Sequence, residues 1–167
     1  HPLRGRGDND VGTLGDGTAI PASGLPVVVS GITTATAVTA ANNVNCALLS
    51  DSTVRCWGQG GQLGNGSAGN TNTPVAVTGI TTATAIGAGG FHECAVLADH
   101  TAKCWGYNAN GQIGDGGTSN RTSPIAVAGI TTASSIDGGA KHTCTVLTDN
   151  TIRCWGFNAS GQLGDGS

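Results

Sequence analysis

The stretch VNCALLSDSTVRCWGQGGQLGNG at residues 44–66 returns as HECAVLADHTAKCWGYNANGQIGDG at residues 92–116 and as HTCTVLTDNTIRCWGFNASGQLGDG at residues 142–166. Each version holds two cysteines with nine residues between them, a Cys-Trp-Gly triplet and a glycine block. The triplets Cys56-Trp57-Gly58, Cys104-Trp105-Gly106 and Cys154-Trp155-Gly156 recur at intervals of 48 and 50 residues. A period of this size marks a repeat architecture, in which neighbouring units bury a shared core.

Working outward, Gly31-Ile32-Thr33-Thr34 repeats as Gly79-Ile80-Thr81-Thr82 and Gly129-Ile130-Thr131-Thr132. The glycine block of residues 61–66, 111–116 and 161–166 also occurs at 12–17, so the chain opens inside a repeat. The full copies are assigned to residues 26–73, 74–123 and 124–167, opened by Pro26, Pro74 and Pro124, with a partial copy at 12–25. The first copy is two residues shorter, because Gln59 and Gly60 stand where Tyr107 to Asn110 stand in the second. A length change tolerated there predicts a surface loop. Residues 1–11 fall outside the pattern and are read as an N-terminal tail. Their Arg6-Gly7-Asp8 spells a cell-attachment tripeptide, a match too short to carry weight in a terminus.

Charged residues make up 10 % of the chain and the formal net charge is −3, which excludes an electrostatic footprint for nucleic acid. The 29 glycines and the many Thr, Ala, Ser and Asn residues suit a loop-rich β protein. No apolar run is long enough to span a membrane as a helix. No signal peptide is visible, and a chain beginning with His1 is expected to be processed or part of a longer protein.

The six cysteines pair by spacing as Cys46 with Cys56, Cys94 with Cys104 and Cys144 with Cys154. A hairpin with a short turn at Asp51-Ser52, Asp99-His100 or Asp149-Asn150 sets each pair directly across two strands, within reach of a disulfide. Each bridge would stabilise by about 2–3 kcal/mol. A zinc site would need Cys-x2-4-Cys clusters, which are absent; free buried thiols are the other alternative. Three disulfides predict an extracellular location, secreted or at the cell surface. The last turn residue of each hairpin, Ser52, His100 and Asn150, is expected in the left-handed region.

Short strands broken by Gly, Pro, Asn and Asp give four per copy, in the second near residues 75–77, 83–86, 94–97 and 102–105. The predicted fold is all-β, a β-propeller of four-stranded blades. The run from Lys141 through Cys144, Cys154-Trp155-Gly156 and Gly161-Gln162-Leu163-Gly164 closely resembles the regulator-of-chromosome-condensation repeat. The paired cysteines resemble the extracellular bacterial branch of that family. The resemblance implies a propeller, typically of seven blades, and protein recognition as its role. Three copies and a fragment do not close such a ring, so the exposed edges are expected to pair through further repeats or self-association by terminal blade strands. Two chains of three and a half blades would make seven.

No unique catalytic, cofactor or metal site is legible, and no cofactor is expected. His92 and His142 occupy equivalent places, where the first copy has Val44, and are read as structural hydrogen-bonding groups. Asp16, Asn65, Asp115 and Asp165 are read as turn caps, since a calcium loop pattern is absent. Trp57, Trp105 and Trp155 are read as blade core rather than a stacking platform. Neither a Gly-x-Ser-x-Gly elbow nor a phosphate loop occurs. Sequons at Asn65, Asn120 and Asn158 lie on expected loops. The function expected is a non-enzymatic binding or structural module. The alternatives are a hydrolase using His92 or His142, and a self-assembling surface or fibre subunit.

Overall fold

Regularly spaced turn residues cut the chain into strands of five to seven residues, and a computed structural model describes how residues 3–166 assemble them. His1, Pro2 and Ser167, the outermost residues of the assigned tail and last copy, lie outside the described residues. A short first sheet pairs β1 (Arg4–Asp8) with β2 (Ala22–Val28). The second sheet runs β3 (Ala35–Ala40), β4 (Val44–Leu49), β5 (Val54–Gly58) and β6 (Thr71–Ala76). The third runs β7 (Ala83–Ala88), β8 (His92–Leu97), β9 (Ala102–Gly106) and β10 (Arg121–Ala126). The fourth holds β11 (Ala133–Gly138), β12 (His142–Leu147) and β13 (Ile152–Gly156). Every neighbouring pair is antiparallel, and β3, β7 and β11 lie side by side between sheets, as inner strands around an axis do. These are β-propeller blades.

Blade and sequence copy are out of phase by one strand. The strand that contains the opening proline of the second or third copy, β6 or β10, pairs with the Cys-Trp-Gly strand of the copy before it. Only after the Gly-Ile-Thr-Thr turn does the chain cross to the next sheet. Each blade is thereby laced to its neighbour by covalent chain as well as by packing.

The apolar cores lie between blades. The face of β4 and β5 that carries Cys46, Leu48 and Cys56 packs on Ala95, Leu97 and Trp105 of the next blade. The same relation joins Cys94, Val96 and Cys104 to Leu147 and Trp155. Each blade thus turns its cysteine face forward and its tryptophan face backward. The indole N–H of Trp57 donates to the Thr13 carbonyl at 2.9 Å, that of Trp105 to Gln62 at 3.1 Å and that of Trp155 to Gln112 at 2.9 Å. The ring sits against the glycine two residues beyond that carbonyl: a Cβ on Gly64 would come within 2.8 Å of the Trp105 ring nitrogen. With φ at +70°, that position excludes larger residues on backbone grounds as well. Trp57 and Trp105 are buried, and Trp155 is half-buried on β13, whose outer edge carries no strand among the described residues.

Three disulfides join Cys46–Cys56, Cys94–Cys104 and Cys144–Cys154, each across directly paired positions with Cα atoms 4.1 Å apart. Ser52, His100 and Asn150 adopt φ of 64°, 62° and 65°, as the hairpin pattern predicts. The preceding aspartate caps each turn through the Thr two residues on, whose hydroxyl and amide both donate to it. These bonds, led by the Thr hydroxyl, hold Asp51, Asp99 and Asp149 below the usual carboxylate range.

Candidate functional site

In each blade the turn between the first two strands and the loop after the Cys-Trp-Gly strand emerge at the same end of the sheet. A backbone hydrogen bond ties them together: Gln59 N donates to Asn43 O at 2.8 Å, Tyr107 N to Phe91 O at 2.9 Å and Phe157 N to Lys141 O at 2.9 Å. The glycine ending the strand, Gly58, Gly106 or Gly156, has φ between +107° and +113° and turns the chain toward this contact. The repeat therefore places one pair of side chains at one equivalent spot on every blade.

Those pairs differ in chemistry although their frame does not. The first is an amide pair, Asn43 Nδ2 donating to Gln59 Oε1 at 2.9 Å. The second is aromatic, Phe91 and Tyr107 meeting edge to face with centroids 6.4 Å apart, both exposed. The third is cationic, Lys141 Nζ lying 5.5 Å from the Phe157 ring centroid. Beneath them the frame repeats closely. Asn108 Oδ1 accepts from Ile113 N and Asn158 Oδ1 from Leu163 N, both at 2.9 Å. Asn9 Oδ1 does the same for Leu14 N at 2.9 Å, in the segment before the partial copy. In the shortened first copy no asparagine fills that place, though Asn70 Oδ1 accepts from Gly60 N at 2.9 Å just as Asn120 Oδ1 accepts from Asn108 N in the second. The structure thus presents a constant base carrying variable side chains, an arrangement suited to recognition.

The residues singled out by sequence do not converge on this face. His92 is buried between blades, its Nε2 2.7 Å from the Thr143 hydroxyl, which in turn donates to the Gln112 carbonyl at 2.7 Å. Burial, with the charge of His142 adding, pushes His92 down to about 4. His142 is half-buried on β12 and, like His92, stands in the strand rather than in an open cleft. Asp16, Asn65 and Asp115 cap their own turns, accepting from the amides of Thr18, Ser67 and Gly117. The Asn158 sequon amide is engaged with Asp165 inside the glycine block. Arg6-Gly7-Asp8 lies within β1 and is exposed. Among the described residues, no three His, Cys, Asp or Glu side chains gather as a metal set, and no helix is long and apolar enough to cross a membrane.

The variable pairs themselves went unnoticed in sequence. Their signal is the converse of the one sought: positions that fail to repeat, immediately before and after a block that does.

Two profiles described as the regulator of chromosome condensation (RCC1) repeat match the chain, one over residues 53–96 and 104–146, the other over residues 83–112 and 133–162. No curated protein sequence matches. Among solved structures the chain is similar to Prp20p from Saccharomyces cerevisiae (22% identity, TM-score 0.79, covering 93% of this chain and 40% of that one). It is similar also to human WBSCR16 (18% identity, TM-score 0.77, 92% and 43%). A more distant likeness is the ectodomain of the Physcomitrella patens receptor kinase CR4 (23% identity, TM-score 0.53, 79% and 33%). The chain thus spans less than half the length of each of these structures.

Proposed function

This chain belongs to the regulator of chromosome condensation (RCC1) repeat family, and from that premise we propose that it is an extracellular, non-enzymatic protein-binding module. Its recognition surface is the face bearing the pairs Asn43–Gln59, Phe91–Tyr107 and Lys141–Phe157. The observation that carries the reading is the contrast between a repeated frame and these non-repeated pairs, since exposed aromatic side chains such as Phe91 and Tyr107 on a rigid base are what protein interfaces enrich. Related propellers engage proteins: Prp20p is described with binding to Gsp1p and histones, and was also solved with Kap60. Three disulfides support the oxidising compartment. The hydrolase alternative is weakened by the enclosure of His92 and Thr143, which no substrate reaches in this packing.

The test is selection of displayed peptides on the immobilised, oxidised chain. A recovered peptide should lose about tenfold or more in affinity for Tyr107→Ala and Lys141→Ala, while Arg55→Ala near the opposite hairpin tips leaves it unchanged. Equal loss in all three variants, or turnover of generic ester, glycoside or peptide substrates abolished by His142→Ala, would replace this reading.

A second reading, association with further blades or a second copy, is favoured by β13. Its Ile152 is 65% exposed, whereas Val54 and Ala102 at the same place on β5 and β9 are 0% exposed in the cores shared with the following blades, and β13 has no strand on its outer edge among the described residues. A strand of the β6 type fits that edge, giving main-chain pairing. Native mass at micromolar concentration under oxidising conditions should exceed that of one chain; a monodisperse monomer would remove the reading.

A further inference from the structure

Three positions on the tryptophan-bearing faces of the blades are equivalent: Asn45, Glu93 and Thr143, each directly opposite its tryptophan in the hairpin. Two of them do the same work. Asn45 Nδ2 donates to the Thr13 carbonyl at 2.7 Å, and Thr143 Oγ1 donates to the Gln112 carbonyl at 2.7 Å. Each carbonyl belongs to the glycine block of the preceding blade and also receives the indole N–H. The corresponding carbonyl in the middle seam is that of Gln62, which Trp105 reaches at 3.1 Å. The second donor of this seam would have to come from Glu93, and a carboxylate has no proton to give.

We infer that Glu93 is kept as a neutral carboxylic acid whose Oε1–H donates to the seam carbonyl of Gln62, making this blade contact a pH-sensitive joint.

The surroundings agree. Glu93 is 1% exposed, its Oε2 accepts from the Thr39 hydroxyl at 3.0 Å, and its Oε1 has no partner as an acceptor. A neutral acid uses both oxygens: the carbonyl oxygen takes Thr39, the hydroxyl finds Gln62. An anion would leave a buried charge with a single hydrogen bond. No cation faces it. On β3 the group that reaches it is Thr39. On β9 the Lys103 ammonium is directed to the Gly79 carbonyl. On β11 Asp137 repels it, and on its own strand His92 is neutral. Burial, opposed only by the Thr39 hydrogen bond and reinforced by Asp137, raises its pKa well above the usual value.

The sign follows from linkage. A group whose folded pKa is raised contributes stability that is present below the unfolded value and is lost as pH rises through the folded one. Raising pH should therefore loosen the joint between the second and third sheets.

Glu93→Gln is the isostere of the neutral acid, with Nε2 replacing the hydroxyl donor. Thermal unfolding of the oxidised full chain, wild type and Glu93→Gln, from pH 5 to pH 9 should give similar Tm values at the acid end. The wild type should then fall progressively below the variant toward the alkaline end. Infrared spectra at pH 7 should show a carboxylic-acid C=O band in the wild type that is missing in Glu93→Gln. Parallel pH profiles, or no such band at pH 7, would overturn the inference. The infrared result stands even if the variant folds poorly, since it reads the wild type directly.

Discussion

His92 is 1% exposed, with Nε2 on the Thr143 hydroxyl and Nδ1 without a partner. Because Thr143 spends its proton on the Gln112 carbonyl, its oxygen must accept from His92, which fixes the Nε2–H tautomer and leaves Nδ1 bare. A Cβ on Gly89 would meet Nδ1 at once, so there is little room for a donor there. The folded ring therefore resists a second proton, with its pKa pushed to about 4 by burial and by His142. A depressed folded value contributes stability present above the unfolded pKa and lost as pH falls toward the folded one. Between pH 6.5 and 4 this removes roughly 3 kcal/mol at most. Val44 fills the same place one blade earlier, so His92→Val is a conservative replacement. Urea midpoints at pH 7 and pH 4.5 should converge in His92→Val relative to wild type, whereas an unchanged acid slope would mean the ring titrates as if exposed.

At the scale of the element, what repeats was legible and what joins the repeats was not. Paired cysteines with nine residues between them, and an Asp before Ser52, His100 or Asn150, are local facts, and the hairpins follow them. The strand boundaries agree because Gly, Pro and Asn interrupt any longer element. The phase of the blade was missed. Nothing local distinguishes a β6 that pairs backward with β5 from one that pairs forward with β7, since both are short strands flanked by turns. That choice is made by packing: Val77 and Ile80, on the crossing segment, close the core between two sheets. The joint residues were hidden for a different reason. Asn45, Glu93 and Thr143 share no side-chain chemistry, only the capacity to donate to one carbonyl, so their equivalence becomes visible once the carbonyl is in place.

At the scale of the whole molecule, rigidity and variability are separated. Disulfides, indole contacts and asparagine staples are repeated and mostly buried, and hold the blades at fixed spacing. The hairpin tips at one end reinforce that spacing, Ser52 O accepting from Ala83 N at 3.0 Å and His100 O from Ala133 N at 2.8 Å. The other end is tied between blades too, Asn42 N donating to Gly90 O at 3.3 Å and Gly90 N to Gly139 O at 3.1 Å, and it carries the amide, aromatic and cationic pairs proposed to meet a partner. Hydrogen exchange of the oxidised chain, with and without a selected protein or peptide ligand, tests this division most directly. Protection should appear in segments 41–43, 59–61, 89–91, 107–110, 139–141 and 157–160. Protection confined to the hairpin tips at 50–53, 98–101 and 148–151, or to β13, would contradict it.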